Sequence, residues 1–279
     1  MTNIMTTIKK INIKGLFHKY QAEWELHEDV NILVGINGSG KSTILRSIDA
    51  LLSQKNTYLK NLELDIELTL SDHTQIAYYG LLGMKKNSDR QIKHEYITTF
   101  DVPLKDKKTI KHNETPLDKE LDLVLYSLGK DQKSFSNYRF KATNFPEFAN
   151  QINRKIEVLF EIINGLFNET DKKIEINKTD NTLEFQNKNE TIHLDMLSSG
   201  EKQLLIIIFT VFLMEEEPCV LLMDEPEISL HIGWQQQLID IIRRLNKNVQ
   251  LIIATHSPSI FGEGWGDKIF FTEDLLQLP

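Results

Sequence analysis

The chain has 279 residues, 41% hydrophobic and 26% charged, with a formal net charge of −8 at pH 7. This is an ordinary globular profile with enough length for a large core, and it argues against a whole-surface nucleic-acid binder while allowing a local basic face. The single cysteine, Cys219, excludes an internal disulfide, and no apolar stretch reaches the length of a membrane span.

Residues 1–5 lack the charged region followed by an apolar core that marks a signal peptide, so a cytoplasmic location is expected. A first strand is expected over 8–14 and a second over 21–27, with Trp24 and Leu26 on one side. Residues 30–34 (VNILV) form a short apolar run suited to a buried strand, and helical spacing follows from Thr43 to Ile48. Near-perfect alternation from Leu62 to Leu70 predicts a half-buried strand, paired as a hairpin with 74–79 across 71–73. Residues 85–115 are polar and lysine-rich around one strand, 95–100; Lys105, Lys107 and Lys108 are candidate nucleic-acid contacts, against the plainer reading of a solvated loop. A long helix is expected over 145–167, with Phe148, Ile152, Ile156, Leu159, Phe160 and Ile163 apolar, then short strands at 174–176 and 183–185. Residues 201–214 read as a buried helix, and Cys219 opens an apolar strand as a small buried thiol. No internal repeat and no sustained heptad pattern occurs.

Three segments carry chemistry. Residues 35–42 read GINGSGKS, a phosphate-binding loop of the form G-x-x-x-x-G-K-S. Gly35, Gly38 and Gly40 let successive backbone N–H groups, including those of Asn37 and Ser39, face a polyphosphate. Lys41 adds a point charge, the Ser42 hydroxyl suits Mg²⁺, and with Thr43 they open a helix whose N-terminus favours anions. Residues 220–225 (VLLMDE) are a buried strand ending in two carboxylates: Asp224 suits a Mg²⁺ ion through water, and Glu225 suits a general base. Residues 252–257 (IIATHS) form another apolar strand, whose His256 suits a hydrogen bond to a γ-phosphate and the attacking water. A weaker signal lies at 197–203 (LSSGEKQ), where Ser198, Ser199, Gly200 and Glu201 open a strongly helical run. This is an anion site at a helix N-terminus or a plain N-cap.

In this order the four motifs resemble the ATP-binding-cassette (ABC) ATPase superfamily, and they bracket nearly the whole chain. The signature LSSGE in place of LSGGQ, the run DEPEISLH with Trp234 and Gln235 after it, and ATHSPSI resemble its soluble branch. That branch holds SMC-like and DNA-repair ATPases, OLD-family nucleases and ATPases of bacterial anti-phage systems such as Septu; the opening INIKGLFHKY is similar to its first strand and basic turn. The resemblance implies an α/β fold: an ABC-type P-loop ATPase head with a mixed central sheet flanked by helices, an antiparallel β subdomain and a helical lobe. It implies a single ATPase domain over 1–279, with a nucleotide-binding lobe at 1–84 plus 195–279 and an inserted lobe at 85–194. ATP and Mg²⁺ are the implied cofactors. Two copies would sandwich ATP, with Ser198 and the Gly200 region acting in trans and residues 228–231 at the seam, where His231 otherwise serves as a cap.

Departures from the family pattern bound the reading. The lid glutamine is either Gln75 or Gln91, and the adenine-contacting aromatic is open among Phe17, Tyr20 and Trp24, each also suited to core packing. The SMC coiled coil is absent, and about two dozen residues after His256 are far too few for an OLD nuclease domain. The implied function is an ATP-hydrolysing dimeric switch that gates a separate effector, a nuclease or toxin, or acts on nucleic acid, in anti-phage defence or DNA maintenance. The alternatives are an ATPase subunit of a membrane transporter and a low-turnover nucleotide-gated sensor.

Overall fold

The computed structural model describes residues 6–80, 82–86, 92–98, 115–128, 133–188, 190–262 and 264–278. Numbered along the chain, the first elements are β1 (Ile8–Leu16), β2 (Tyr20–Glu25), β3 (Val30–Val34), α1 (Lys41–Leu52), α2 (Asn56–Leu62), β4 (Asp65–Leu70), β5 (Gln75–Tyr79), β6 (Gly83–Lys86) and β7 (His94–Ile97). Then come α3 (Pro116–Tyr126), α4 (Phe135–Asn144), α5 (Ala149–Leu166), β8 (Lys173–Ile176), β9 (Leu183–Asn187), β10 (Glu190–His193) and α6 (Ser199–Phe212). The last are β11 (Cys219–Asp224), α7 (Ile232–Leu245), β12 (Val249–Thr255), β13 (Ile269–Phe271), α8 (Thr272–Leu275) and β14 (Leu276–Gln277). Two compact units result, one from residues 1–99, 216–227 and 248–279, the other from 100–215 and 228–247.

The first unit contains two sheets. A six-stranded antiparallel sheet has the order β14-β2-β1-β4-β5-β6, and a five-stranded parallel sheet has the order β13-β3-β12-β11-β7. Strands β3, β11 and β12 are near-continuous apolar runs, as a parallel sheet covered on both faces requires. Helix α1 lies within the core between the sheets. Its Ile44, Leu45, Ile48 and Leu51 share one cluster with Ile11, Ile13, Ile66 and Leu68 of the antiparallel sheet and with Val220, Leu222, Ile252 and Ala254 of the parallel one. The fully buried Gln250 joins the two sheets: its amide accepts from Ile8 N at 2.7 Å and donates to the Ile8 and His27 carbonyls at 2.8 Å each. A buried amide with three such bonds is satisfied and does not destabilise the core.

The second unit is mainly helical, α3 to α7, with the antiparallel sheet β10-β9-β8. Helix α6 is buried all round from Gly200 to Phe209, with Glu201, Lys202 and Gln203 near its start and an apolar run from Leu204 to Phe209 after them. Phe135 of α4 meets Phe209 edge-to-face at 4.9 Å, and Phe167 lies between Phe185 at 4.9 Å and Trp234 at 5.5 Å. The Trp234 indole N–H donates to the Leu166 carbonyl at 3.0 Å, so the ring enters the core without an unpaired donor.

Several expectations need correction. The strand expected from Leu62 begins at Asp65, because residues 56–62 form α2 and Glu63 ends that helix in a left-handed conformation (φ 51°). The helix expected over 145–167 starts at Ala149, after a 3₁₀ turn opened by Pro146. Phe148 is therefore exposed at the helix entrance, and the buried stripe runs through Ile152, Ile156, Leu159, Ile163 and Leu166. Lys85 and Lys86 lie on β6, whereas Lys105, Lys107 and Lys108 fall outside the described residues.

Candidate nucleotide site

The phosphate loop leaves the C-terminal end of β3 and enters α1 at Lys41. Gly38 (φ 81°) and Gly40 (φ 100°) hold conformations that side-chain-bearing residues rarely adopt. Gly35 is a matter of space: a Cβ there would meet the Thr272 hydroxyl at 2.5 Å and Ser39 Oγ at 2.7 Å. Thr272, fully buried, donates in turn to the Val34 carbonyl at 2.9 Å, so the start of α8 braces the base of the loop. The Lys41 ammonium folds back to the Gly35 and Ile36 carbonyls at 2.8 and 3.1 Å, while Asn37 and Gly38 at the loop tip are exposed.

Beneath the loop, the Ser42 hydroxyl donates to Asp224 Oδ1 at 2.8 Å. The other Asp224 oxygen accepts from the Tyr96 hydroxyl at 3.3 Å, and Arg46, one turn beyond Ser42, hydrogen-bonds the same phenol. Burial, with the Asp224 charge close by, pushes the Tyr96 phenol far up, so it stays a neutral donor. Hydroxyl and carboxylate oxygens are the donor types that suit Mg²⁺, and Ser42 with Asp224 fits such an ion.

Two further side chains sit at neighbouring strand ends. Glu225 follows β11 with a left-handed backbone (φ 50°), its N–H still bonded to the Ala254 carbonyl at 2.8 Å. His256 follows β12, half exposed, with Nδ1 3.7 Å from Glu225 Oε1 and 3.4 Å from Glu227 Oε1. Glu227 is buried, and its Oε1 accepts from the Thr255 hydroxyl at 2.6 Å and from His256 N at 3.1 Å. The first unit thus brings Lys41, Ser42, Asp224, Glu225 and His256 together at the C-terminal ends of its parallel strands, where open α/β sheets bind ligands. Sequence reading missed Glu227, Tyr96 and Thr272.

The signature residues belong to the second unit. Ser198 caps α6: its hydroxyl accepts from Glu201 N at 3.3 Å, while Glu201 Oε2 accepts from Ser198 N at 2.9 Å and from Ser198 Oγ at 3.0 Å. This reciprocal box is held by Lys172, 2.5 Å from Glu201 Oε1. Burial works to raise the Glu201 carboxyl, but the Lys172 and Ser198 bonds outweigh it and hold it below the ordinary value. Ser199 is exposed, and Gly200 packs against the backbone of Ser229 and Leu230. His231 caps α7, its Nδ1 accepting from Gly233 N at 3.3 Å.

The open candidates fall into place unevenly. Trp24 is core, 2% exposed and edge-on to Phe270. Phe17, half exposed, lies against Gly40, where a Cβ would meet its ring at 2.9 Å. Tyr20 is partly buried, with the Lys19 ammonium over its ring at 4.8 Å. Gln75 pairs with Thr69 at the end of the antiparallel sheet near Thr7 and Ile8, by the start of β12, which is the end away from the phosphate loop. Gln91 lies outside the described residues.

Comparison with known proteins decides the family. A model described as "AAA domain, putative AbiEii toxin, Type IV TA system" matches residues 114–262, more than half of the chain. The chain belongs to this AAA family. A second model, "AAA ATPase domain", matches residues 7–139, which include the phosphate loop. The Septu protein PtuA of Bacillus thuringiensis is 24% identical over 91% of this chain and 72% of its own length. A probable ATPase of retron Ec83 from Escherichia coli is 31% identical over 26% of this chain, and the match spans 15% of that protein. Among solved structures, an SMC head bound to the C-terminal winged-helix domain of ScpA superposes with a TM-score of 0.58 at 15% identity, covering 91% of each chain. The SMC head of Thermotoga maritima gives 0.52 at 18% identity, covering 95% of this chain and 94% of that one. The fold of this AAA-family chain is therefore that of the SMC heads, as its motifs imply. No described helix is long and apolar enough to cross a membrane.

Proposed function

We propose that this chain is one ATPase head that binds ATP with Mg²⁺, pairs with a second copy around the nucleotide, and hydrolyses it to gate a separate effector. The observation that carries the reading is the Ser42–Asp224 bond at 2.8 Å under the phosphate loop, with Glu225 and His256 at adjoining strand ends. Asn37 to Thr43 would wrap the phosphates with backbone N–H groups, and Lys41 would leave the Gly35 and Ile36 carbonyls for phosphate oxygens. Phe17, which lies against Gly40, would border the nucleotide. Ser42 and Asp224 would hold the magnesium ion, which when bound neutralises phosphate charge. Glu225 would take the proton of the attacking water, and His256 would donate to the γ-phosphate. The α6 N-terminus of a second copy, Ser198 to Glu201, would complete the enclosure, its first-turn N–H groups facing the γ-phosphate.

Likeness to the Septu protein PtuA supports a place in anti-phage defence, in the cytoplasm, with a nuclease or toxin as the gated effector and nucleic acid as a further contact. The test is phosphate release from ATP by purified protein, with light-scattering mass in ATP and in ADP. Turnover that disappears in Glu225→Gln, together with a doubled mass in ATP for that variant, supports the reading. A monomer that hydrolyses ATP at the same rate with Glu225→Gln refutes it.

A further inference from the structure

Glu227 is conspicuous as a carboxylate with 4% of its side chain exposed, placed two residues beyond the proposed base. An ionised carboxylate is costly to bury unless several donors converge on it. Here they converge on one oxygen. Oε1 accepts from the Thr255 hydroxyl at 2.6 Å and from His256 N at 3.1 Å, and it lies 3.4 Å from His256 Nδ1. The Thr255 oxygen is itself fixed, because it accepts from Ser257 N at 2.9 Å. The carboxylate thus bonds the backbone of His256 and stands within ion-pair distance of its ring.

The ring contact has a chemical consequence. Both groups facing Nδ1, Glu227 and Glu225, are carboxylates and accept only. A proton on Nδ1 suits both neighbours and leaves Nε2 as the ring atom available to a ligand. The distances also divide labour between the two glutamates. Nδ1 is nearer to Glu227 (3.4 Å) than to Glu225 (3.7 Å), and only Glu227 also bonds the His256 backbone.

We infer that Glu227 is a positioning residue, which orients the His256 imidazole with Nε2 toward the γ-phosphate and keeps it from pairing with Glu225. The inference rests on the proposed role of His256 and goes beyond it, by assigning what sets that ring's tautomer and direction. Carboxylates that orient metal-ligating histidines carry an effect of about tenfold to a hundredfold, and an effect of that order is expected for a carboxylate that orients His256.

The experiment is a double-mutant cycle on the full chain, with single-turnover ATP hydrolysis and fluorescent-nucleotide affinity measured for wild type, Glu227→Gln, His256→Ala and the pair. Glutamine keeps an acceptor for Thr255 and for His256 N, so the strand tether survives and only the charge facing Nδ1 is lost. Glu227→Gln is expected to slow hydrolysis about tenfold to a hundredfold with affinity within about twofold, and to add less than about twofold in the His256→Ala background. An equal loss in both backgrounds overturns the inference while leaving the role of His256 intact. Wild-type hydrolysis by His256→Ala overturns the role of His256 itself, and the inference with it. Nitrogen-15 NMR of the histidine rings of wild-type protein at alkaline pH reads the tautomer without any Glu227 variant: a His256 proton on Nδ1 supports the inference, and one on Nε2 overturns it.

Discussion

Adding one methyl group at Gly200 tests whether the signature turn is held where the reading needs it. A Cβ there would fall inside the 3.0 Å that real Cβ atoms keep, against the Ser229 carbonyl oxygen, with the Ser229 carbonyl carbon at 3.2 Å and Leu230 Cα at 3.9 Å. The obstacle is backbone, so no side chain can rotate away. Nor is the start of α6 free to slide, since Ser198 and Glu201 cap each other and Lys172 holds the glutamate at 2.5 Å. Relief requires on the order of 1 Å of movement between the first turn of α6 and residues 229–230, an overpacking that costs about 1–3 kcal/mol. A misplacement of about 1 Å in a group that completes a reacting site lowers the rate about a hundredfold. Gly200→Ala is therefore expected to cut steady-state phosphate release about a hundredfold at saturating ATP. Nucleotide affinity should stay within about twofold, because the phosphate loop and its lysine belong to the other unit. Gly165→Ala is the matched control: it lies within α5 with open space around the new Cβ, and should stabilise by about 0.5–1 kcal/mol without slowing turnover. Wild-type turnover by Gly200→Ala would refute the claim that packing on Ser229 sets the position of the signature.

The other predictions concern single groups. Asp224→Asn should weaken Mg²⁺-dependent nucleotide binding about tenfold and leave Mg²⁺-free binding unchanged, as read by fluorescent-nucleotide titration with and without EDTA. Tyr96→Phe removes the donor on the second Asp224 oxygen and should raise the Mg²⁺ concentration for half-maximal hydrolysis several-fold; an unchanged Mg²⁺ dependence would show the phenol to be mere packing. Ser198→Arg should abolish ATP-dependent dimer mass while a one-to-one nucleotide complex persists. Glu201 ties acid stability to the cap. Its folded carboxyl lies below its unfolded value, so its contribution is fully present above the unfolded value, about 4.3, and is lost as pH falls through the folded one. The gap in melting temperature between Glu201→Gln and wild type should therefore be full above about pH 4.3 and shrink as pH falls below it through the folded value; a gap that stays constant with pH would refute the linkage.

What could be read without coordinates was local chemistry at strand ends. The loop at 35–42, the carboxylates at 224–225 and His256 each follow an apolar run of a few residues, and the topology places all three at one end of one sheet. Pairings across the chain were not legible. Thr272 reaches Ser39 and Val34 across more than 230 positions, Tyr96 reaches Asp224 across 128, and Gln250 reaches Ile8 across 242. Strand register decides these, and no short window of sequence encodes it. Some omissions did carry a signal. Thr115, Pro116 and Asp118 spell out a capping box with proline in the first turn, enough to announce α3. Leu238, Ile239 and Ile242 after the His231 cap mark the buried side of α7 at helical spacing. The opposite error, extending the strand back to Leu62, came from alternation that continues into the last residue of a helix, where period alone cannot separate the two states.

The short run from Asp224 to Ser229 explains why the acidic strand and its two terminal carboxylates are legible in the sequence and Glu227 is not. Asp224 ends a regular strand, and hydrophobic patterning reports it directly. Glu225 and Ser229 then adopt left-handed backbones at φ 50° and 66°, which cost a residue with a Cβ about 1–3 kcal/mol each. Such conformations persist only where surroundings over-determine them. Glu225 is held by its N–H bond to the Ala254 carbonyl, while Ser229 presents the carbonyl that lies against Gly200. At Glu225 the reversal breaks the alternation of the strand just past its end. Glu225 and Glu227, two positions apart in sequence, stand 3.7 and 3.4 Å from the same imidazole nitrogen, and only Glu227 also bonds the His256 backbone. In the proposed mechanism the left-handed turn at Glu225 thus lies between the carboxylate that would react and the one that would position, with Pro226 between them in sequence.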